Sequence, residues 1–295
     1  MKNILIILCF LASSALSAKS VTLTFADSMR EDVKVQLPRK FDKKEKWPLI
    51  ISMHGYGGNS RLQNYYIRLG AFQNDFGFVY AAPDGLKNSY GKTYWNATQF
   101  CCDFDNSEVN DIEFIKNLIE SIKSSDKIGR IDTDKIYLIG YSNGAFLASK
   151  IACSRELDIA GIVTIAGTGD LRDSSGELID ESQLDCEHQR PIPVLHIHGD
   201  ADTTIAYDGF DNGKTAHVGA LAKLKRWGIH NGCDEELVQV DSPINATNFV
   251  KGKETQHFEM KNCQAPVEHY KVQDGVHFGI YKKSFTKRIL NFLLK

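Results

Sequence analysis

The stretch Tyr137-Leu138-Ile139-Gly140-Tyr141-Ser142-Asn143-Gly144-Ala145-Phe146-Leu147-Ala148 constrains this chain more than any other. An apolar run of strand length enters Gly-x-Ser-x-Gly and leaves through small and apolar residues suited to a helix. That order puts Ser142 on a tight strand-to-helix turn. Glycines two residues to either side let neighbouring backbone come close with no Cβ in the way. A helix starting after the serine aims free backbone N–H groups at whatever Ser142 attacks. The pentapeptide alone is common; the strand before it and the helix after it mark Ser142 as a candidate nucleophile.

The rest of the chain alternates in the same manner. Val21–Phe25 and Val33–Leu37 read as a hairpin with Asp27-Ser28 in its loop. Leu49–Met53, Phe78–Ala82, Ile136–Ile139, Gly161–Ile165, Val194–Ile197 and Glu268–Val272 are apolar runs of strand length. Helical patterns lie at Val109–Ser124, Ala145–Ser154, Thr215–Trp227 and Phe285–Leu294. In the first of these, Ile112, Ile115, Leu118, Ile119 and Ile122 recur every three or four residues, as one buried helix face requires. Strands alternating with helices predict an α/β fold, a mostly parallel central sheet with helices on both faces. Ligands then bind at the carboxyl ends of the strands.

Residues 1–17 read as a secretory leader: Met1-Lys2 is a short positive start, Ile4 to Leu11 an apolar core, and Ala12 to Ala18 a small-residue tail. Ala15 and Ser17 suit cleavage before Ala18, leaving residues 18–295 as a single domain with no Pro/Ser linker or repeat. No later segment approaches ~18 consecutive apolar residues, so no membrane partner is expected after cleavage. The net charge of −2 becomes −3 once Lys2 leaves, and the basic residues are scattered, which predicts no nucleic-acid partner. Cys9 falls in the leader. The other six cysteines, Cys101, Cys102, Cys153, Cys186, Cys233 and Cys263, form an even set suited to disulfides in an oxidising compartment. Their spacing contains no Cys-x-x-Cys and resembles no zinc site, so no metal is expected. Their pairing stays open at this point.

A serine nucleophile needs a base, an acid to orient it, and donors for an oxyanion. Val194-Leu195-His196-Ile197-His198-Gly199-Asp200-Ala201-Asp202 is a buried strand opening into a loop that carries two acids. Asp202 is the candidate, since His198, Gly199, Asp202 and Ile205 match His-Gly-x-x-Asp-x-x-apolar; Asp200 reads as a solvated turn residue. Of the nine histidines, His277 alone follows the acid and stands between the last strand and the closing helix. The loop Met53-His54-Gly55-Tyr56-Gly57-Gly58-Asn59 follows a strand, and its glycines let a backbone N–H face the nucleophile. The N–H groups of Tyr56 and Asn143 are therefore the candidate oxyanion donors. Gly-x-x-x-x-Gly-Lys-Ser/Thr is absent, which excludes a phosphate-binding loop, and nothing calls for a cofactor. Phe104, Trp95 and Tyr141 are candidate pocket walls. Asn96-Ala97-Thr98 and Asn245-Ala246-Thr247 are glycosylation sequons, with a structural role favoured for Asn96.

These residues resemble the secreted α/β-hydrolase family of feruloyl esterases and polyhydroxybutyrate depolymerases. The resemblance covers nearly the whole of residues 18–295. It rests on His54-Gly55-Tyr56-Gly57-Gly58-Asn59, Pro83-Asp84-Gly85, Trp95-Asn96 leading to Cys101-Cys102, Val109-Asn110-Asp111-Ile112, Gly140-Tyr141-Ser142-Asn143-Gly144, His198-Gly199 with Asp202, and Trp227 leading to Asn231-Gly232-Cys233, with Cys263 beyond. It implies Ser142 as nucleophile, Asp202 as acid, His277 as base, and Tyr56 and Asn143 as oxyanion donors. It also implies a Cys233–Cys263 bridge, with Cys101 or Cys102 paired to Cys153. The family usually reads Gly-Gly-Gly-His-x-Trp-Pro at the base, where this chain has Asp274-Gly275-Val276-His277-Phe278-Gly279-Ile280; Phe278 or Tyr281 are the aromatic replacements on hand. The expected reaction is hydrolysis of feruloyl- or acetyl-type esters, free or linked to polysaccharide, or of short hydroxyalkanoate esters. The alternatives are a depolymerase proper, a peptidase or acyltransferase with the same machinery, and an inactive hydrolase-fold binding protein.

Overall fold

Apolar runs that do not alternate need cover on both faces, and the central strands of this chain have it. The computed structural model describes residues 19–25, 30–98, 101–154, 156–170, 177, 190–213 and 216–295. The expected leader, Asp27, Ser28 and Cys186 lie outside them. The sheet strands are β1 (Ser20–Leu23), β2 (Val33–Gln36), β3 (Trp47–Met53), β4 (Val79–Ala81), β5 (Ile131–Tyr141), β6 (Gly161–Ile165), β7 (Val194–Gly199), β8 (Leu237–Gln239), β9 (Thr255–Met260) and β10 (Val267–Val272). Among the described residues they form one sheet in the order β1-β2-β4-β3-β5-β6-β7-β10-β9-β8. From β4 through β10 all neighbours are parallel; β1-β2 and β9-β8 extend the two edges antiparallel.

The helices are α1 (Ser60–Ile67), α2 (Gln73–Phe76), α3 (Asp111–Ser124), α4 (Asn143–Cys153), α5 (Ala220–His230) and α6 (Lys283–Leu293). Alternation along β3 sends Leu49, Ile51 and Met53 into one core and Ile50 into the other. The first core meets α3, α4 and α5 through residues such as Ile115, Phe146 and Trp227. The second meets α1 and α6 through Ile67, Phe285 and Ile289. The expected layering, helices on both faces of a largely parallel sheet, is the one observed.

Local signals explain the differences at element ends. The side chain of Asn110 accepts from Glu113 N at 3.0 Å, so Asn110 caps α3 and the helix starts later than Val109. The helix expected from Thr215 begins at Ala220 behind Gly219, and Ala216–His217 pairs with Phe210–Asp211 as a short ribbon. Helix α1 and strands β8 and β9 were not expected. Ser-Arg-Leu-Gln-Asn-Tyr-Tyr-Ile is short and polar, and the edge strands carry polar residues on an open face. Asn59, read as a loop residue, caps α1 by accepting from Leu62 N at 2.9 Å.

The cysteines call for one correction. Cys233 and Cys263 are joined, as the resemblance implied. Cys101 and Cys102 are joined to each other, so neither pairs with Cys153. Adjacent in the chain and with Cα atoms 3.0 Å apart, they use up each other's sulfur. Cys153 is also disulfide-bonded.

Candidate active site

The elbow is built by backbone crowding. Ser142 sits between β5 and α4 with φ 51° and ψ −120°, a conformation costly for a residue with a Cβ. Its N–H donates to the Ile165 carbonyl of β6 at 2.8 Å, which fixes the turn against the sheet. A Cβ at Gly140 would run into the Gly144 carbonyl, and one at Gly144 into the carbonyls of Met53 and His54. Both glycines are therefore steric requirements of the turn. Gly144→Ala is expected to cost roughly 1–3 kcal/mol through overpacking. Thermal unfolding should show Tm several degrees lower; an unchanged Tm would contradict this reading of the turn.

Three expected side chains meet at this turn. His277 Nε2 lies 2.9 Å from Ser142 Oγ, and His277 Nδ1 lies 2.7 Å from Asp202 Oδ2. Ser142, Asp202 and His277 are all buried. The other Asp202 oxygen, Oδ1, accepts from the N–H groups of Thr204 and Ile205 at 2.8 and 2.9 Å. Burial alone would raise the Asp202 carboxyl; hydrogen bonds from His198 and His277 outweigh it and hold the carboxyl well below its ordinary range. Asp200 is elsewhere: it pairs with Lys271 at 3.2 Å and accepts from Asp274 N at 2.7 Å. The arrangement gives the imidazole a hydroxyl on one nitrogen and an ionised carboxylate on the other.

The loop after β3 packs directly on the serine. A Cβ at Gly55 would lie 3.1 Å from Ser142 Cβ, so Tyr56 follows a backbone already in contact with the elbow. Asn143 opens α4, and its N–H belongs to the first turn, whose donors have no intrahelical acceptor. The Asn143 side chain is braced twice: Oδ1 accepts from Trp95 N at 2.7 Å and Nδ2 donates to Trp95 O at 2.9 Å. Trp95 also donates its indole N–H to the His54 carbonyl at 2.9 Å, which ties the two loops together. His54 Nε2 in turn accepts from Gly85 N at 2.9 Å, and burial lowers the pKa of its ring. Trp95, His54 and Gly85 were legible as parts of the resemblance, but their bracing function was not.

Of the expected wall residues, Trp95 and Tyr141 are core. Tyr141 is buried under Tyr66 and Phe278, and its hydroxyl donates to the His277 carbonyl. Phe104 is 57% exposed and meets Tyr56 edge-on at 5.5 Å. Phe278 is also 57% exposed, whereas Tyr281 is buried against Phe285. Two open aromatic surfaces thus remain, one against Tyr56 and one against His277. A cavity of about 800 Å³, lined in part by Tyr207, Leu221, Phe258, His269 and Lys271, includes neither Ser142 nor His277 in its walls. Asn96 is structural: its N–H donates to Asp111 Oδ2 at 2.6 Å and its amide to Val109 O at 3.0 Å. Asp111 is ion-paired in the interior with Arg30.

Among the described residues, His257, Glu259 and Glu268 bring ligand atoms within 4.8 Å of one another on β9 and β10. Both His257 nitrogens already face carboxylates, Asp241 at 3.3 Å and Glu268 at 2.9 Å, and Glu259 pairs with Lys261. The cluster is an ion-pair network as it stands.

The profile of a family described as phospholipase/carboxylesterase matches residues 40–248. Feruloyl esterase B of Piromyces equi is 29% identical over 211 residues, 70% of this chain and 36% of that protein. The match thus spans little more than a third of that relative. Probable feruloyl esterase C of Aspergillus niger is 23% identical over 252 residues, 83% of this chain and 75% of that protein. Among solved structures, an acetyl xylan esterase from Aspergillus awamori superposes with a TM-score of 0.62 at 12% identity, covering 94% of this chain and 98% of the other. The last of these is a likeness of fold.

Proposed function

Because the chain belongs to the phospholipase/carboxylesterase family of α/β-hydrolases, we propose that it is a serine carboxylic-ester hydrolase working through an acyl-enzyme. The observation that carries this reading is the 2.9 Å and 2.7 Å pair of contacts linking Ser142, His277 and Asp202. His277 takes the Ser142 proton as Oγ attacks the ester carbonyl, and Asp202 holds the ring and stabilises its cation. Backbone N–H groups of Tyr56 and Asn143 receive the oxyanion. His277 returns the proton to the leaving alcohol, and water then releases the acid by the same steps in reverse.

The acyl group we assign is of feruloyl or acetyl type, on a soluble ester or pendant on a polysaccharide. Its support is the feruloyl esterase relatives and the exposed faces of Phe104 and Phe278, suited to a planar acyl group or a sugar ring. We further assign export, with residues 1–17 as the leader and residues 18–295 as one catalytic domain. Two disulfides among the described residues suit an oxidising compartment, and no described helix is long and apolar enough to cross a membrane.

A panel of p-nitrophenyl acetate, p-nitrophenyl butyrate, methyl ferulate, acetylated xylan and hydroxybutyrate oligomers tests the substrate class. Methyl ferulate or acetylated xylan should give the highest kcat/KM. A preference for hydroxybutyrate oligomers would move the assignment to polyester cleavage.

A further inference from the structure

Behind the candidate acid, a file of buried polar groups runs through the sheet to a lysine in the core. Lys223 of α5 is 2% exposed, and its amine meets Thr164 Oγ1 at 2.8 Å, the Gly167 carbonyl at 2.9 Å and Ser149 Oγ at 3.2 Å. Thr164 Oγ1 lies 2.9 Å from His196 Nδ1, and His196 Nε2 lies 3.2 Å from His198 Nδ1. His198 Nε2 lies 2.8 Å from the Ile205 carbonyl and 3.2 Å from Asp202 Oδ2. Thr164, His196 and His198 stand on the neighbouring strands β6 and β7.

The bonds of this file can all run one way. The Ile205 carbonyl can only accept, so His198 Nε2 carries the proton. His198 Nδ1 is then the acceptor for His196 Nε2–H. His196 Nδ1 accepts from the Thr164 hydroxyl, whose oxygen accepts from Lys223. Burial first, then the nearby Lys223 amine and the His198 and His269 rings, push His196 well below its ordinary range and keep it neutral. A lysine in such a place carries a heavy desolvation cost, and its amine also falls well below its ordinary range. Among the described residues, its amine meets hydroxyl and carbonyl oxygens and no carboxylate. Its contacts are those that anchor Thr164 and the Gly167 loop beside the elbow.

We propose that Lys223, Thr164, His196 and His198 are positioning residues, a one-way hydrogen-bond file that aims Asp202 Oδ2 at His277 and tempers its negative charge. The proposal rests on the reading of Ser142, Asp202 and His277 as the catalytic triad. A carboxylate that receives two donors on Oδ2 leaves less negative charge for the imidazolium. When the file is cut, His198 is freed to tilt, Asp202 holds the imidazolium more strongly, and the base keeps its proton to higher pH. Other titratable and charged groups face the file as well. His217, Tyr141 and Tyr281 lie near Asp202, and His269 lies against His196, with Tyr207 and Lys271 beyond it. The test variants leave all of these in place.

Thr164→Val removes the hydroxyl and keeps the shape; Lys223→Met removes the amine and keeps the length. In both, the acid limb of the kcat/KM profile should move up by about half a pH unit. kcat should fall roughly three- to tenfold with KM within about twofold. Thr164→Ser, which keeps the hydroxyl, should bring the limb back towards the parent. Lys223→Met removes the desolvation cost of the amine together with its bonds, which offsets part of their loss, so it stays informative if the valine variant folds poorly. NMR titration of the His277 ring reads the same midpoint without turnover, and it should rise in both variants. A protein without Ser142-dependent turnover would defeat the functional reading, and this titration would still decide the file. An unmoved limb and an unmoved ring titration in both variants would overturn the proposal.

Discussion

Ser142→Ala should abolish turnover, with kcat reduced roughly 10⁵- to 10⁶-fold and KM little changed. The size follows from the site: among the described residues, the hydroxyl that His277 Nε2 meets is Ser142 Oγ, at 2.9 Å. The proposed oxyanion donors are backbone N–H groups, so they would survive the substitution and leave a residual rate. Folding should survive too, since only an Oγ is lost from a buried turn. Ser142→Gly makes a useful companion. Glycine adopts φ 51° at no steric cost, so this variant should be as inactive as Ser142→Ala and unfold at a higher temperature. Substrate hydrolysis and thermal unfolding measured on the same preparations check both statements. Activity within tenfold of the parent in Ser142→Ala would remove the serine from the mechanism.

The second large effect belongs to Asp202→Asn, expected to lower kcat by roughly ten-thousand-fold at neutral pH. The structure says which way the amide must turn. Thr204 N and Ile205 N both donate to Oδ1, so the Asn carbonyl oxygen takes that position. The amide NH₂ then occupies the place of Oδ2, where His277 Nδ1 and His198 Nε2 both point. To avoid donor facing donor, His277 must move its proton to Nε2 and so loses the lone pair that faces Ser142. No carboxylate remains to stabilise an imidazolium. Kinetics across a pH series check this, with circular dichroism to show an intact fold. A loss below about tenfold would mean that Asp202 is not the orienting acid, and Asp200, paired with Lys271, would be the next to test.

Much of this was legible in the sequence, for identifiable reasons. Largely apolar runs marked β3, β5, β6 and β7, because strands covered on both faces carry few polar positions to blur them. Ser142, Asp202 and His277 could be picked out because each stands at the carboxyl end of a recognisable strand or next to a recognisable helix. Strands β8 and β9, at one end of the sheet, were missed, since half-exposed strands keep only a partial pattern. Helix α1 was missed because its evidence is one capping asparagine and two buried residues, Gln63 and Ile67. Pairing of Cys101 with Cys102 is a contact no spacing rule reveals. The Lys223 file was hidden for a different reason. Lysine within Ala-Leu-Ala-Lys-Leu-Lys-Arg-Trp reads as a solvated face, and only the packing of α5 on the sheet turns Lys223 inward and leaves Lys225 at the surface.

The most direct measurement is to treat the protein with diethyl p-nitrophenyl phosphate, an organophosphate that phosphorylates activated serines, and to locate the adduct by peptide mass spectrometry. The account predicts stoichiometric p-nitrophenol release, one adduct on Ser142, parallel loss of ester hydrolysis, and no labelling of Ser142→Ala. Ester hydrolysis that persists with Ser142 unmodified, or an adduct on another residue that tracks the loss of activity, would contradict it.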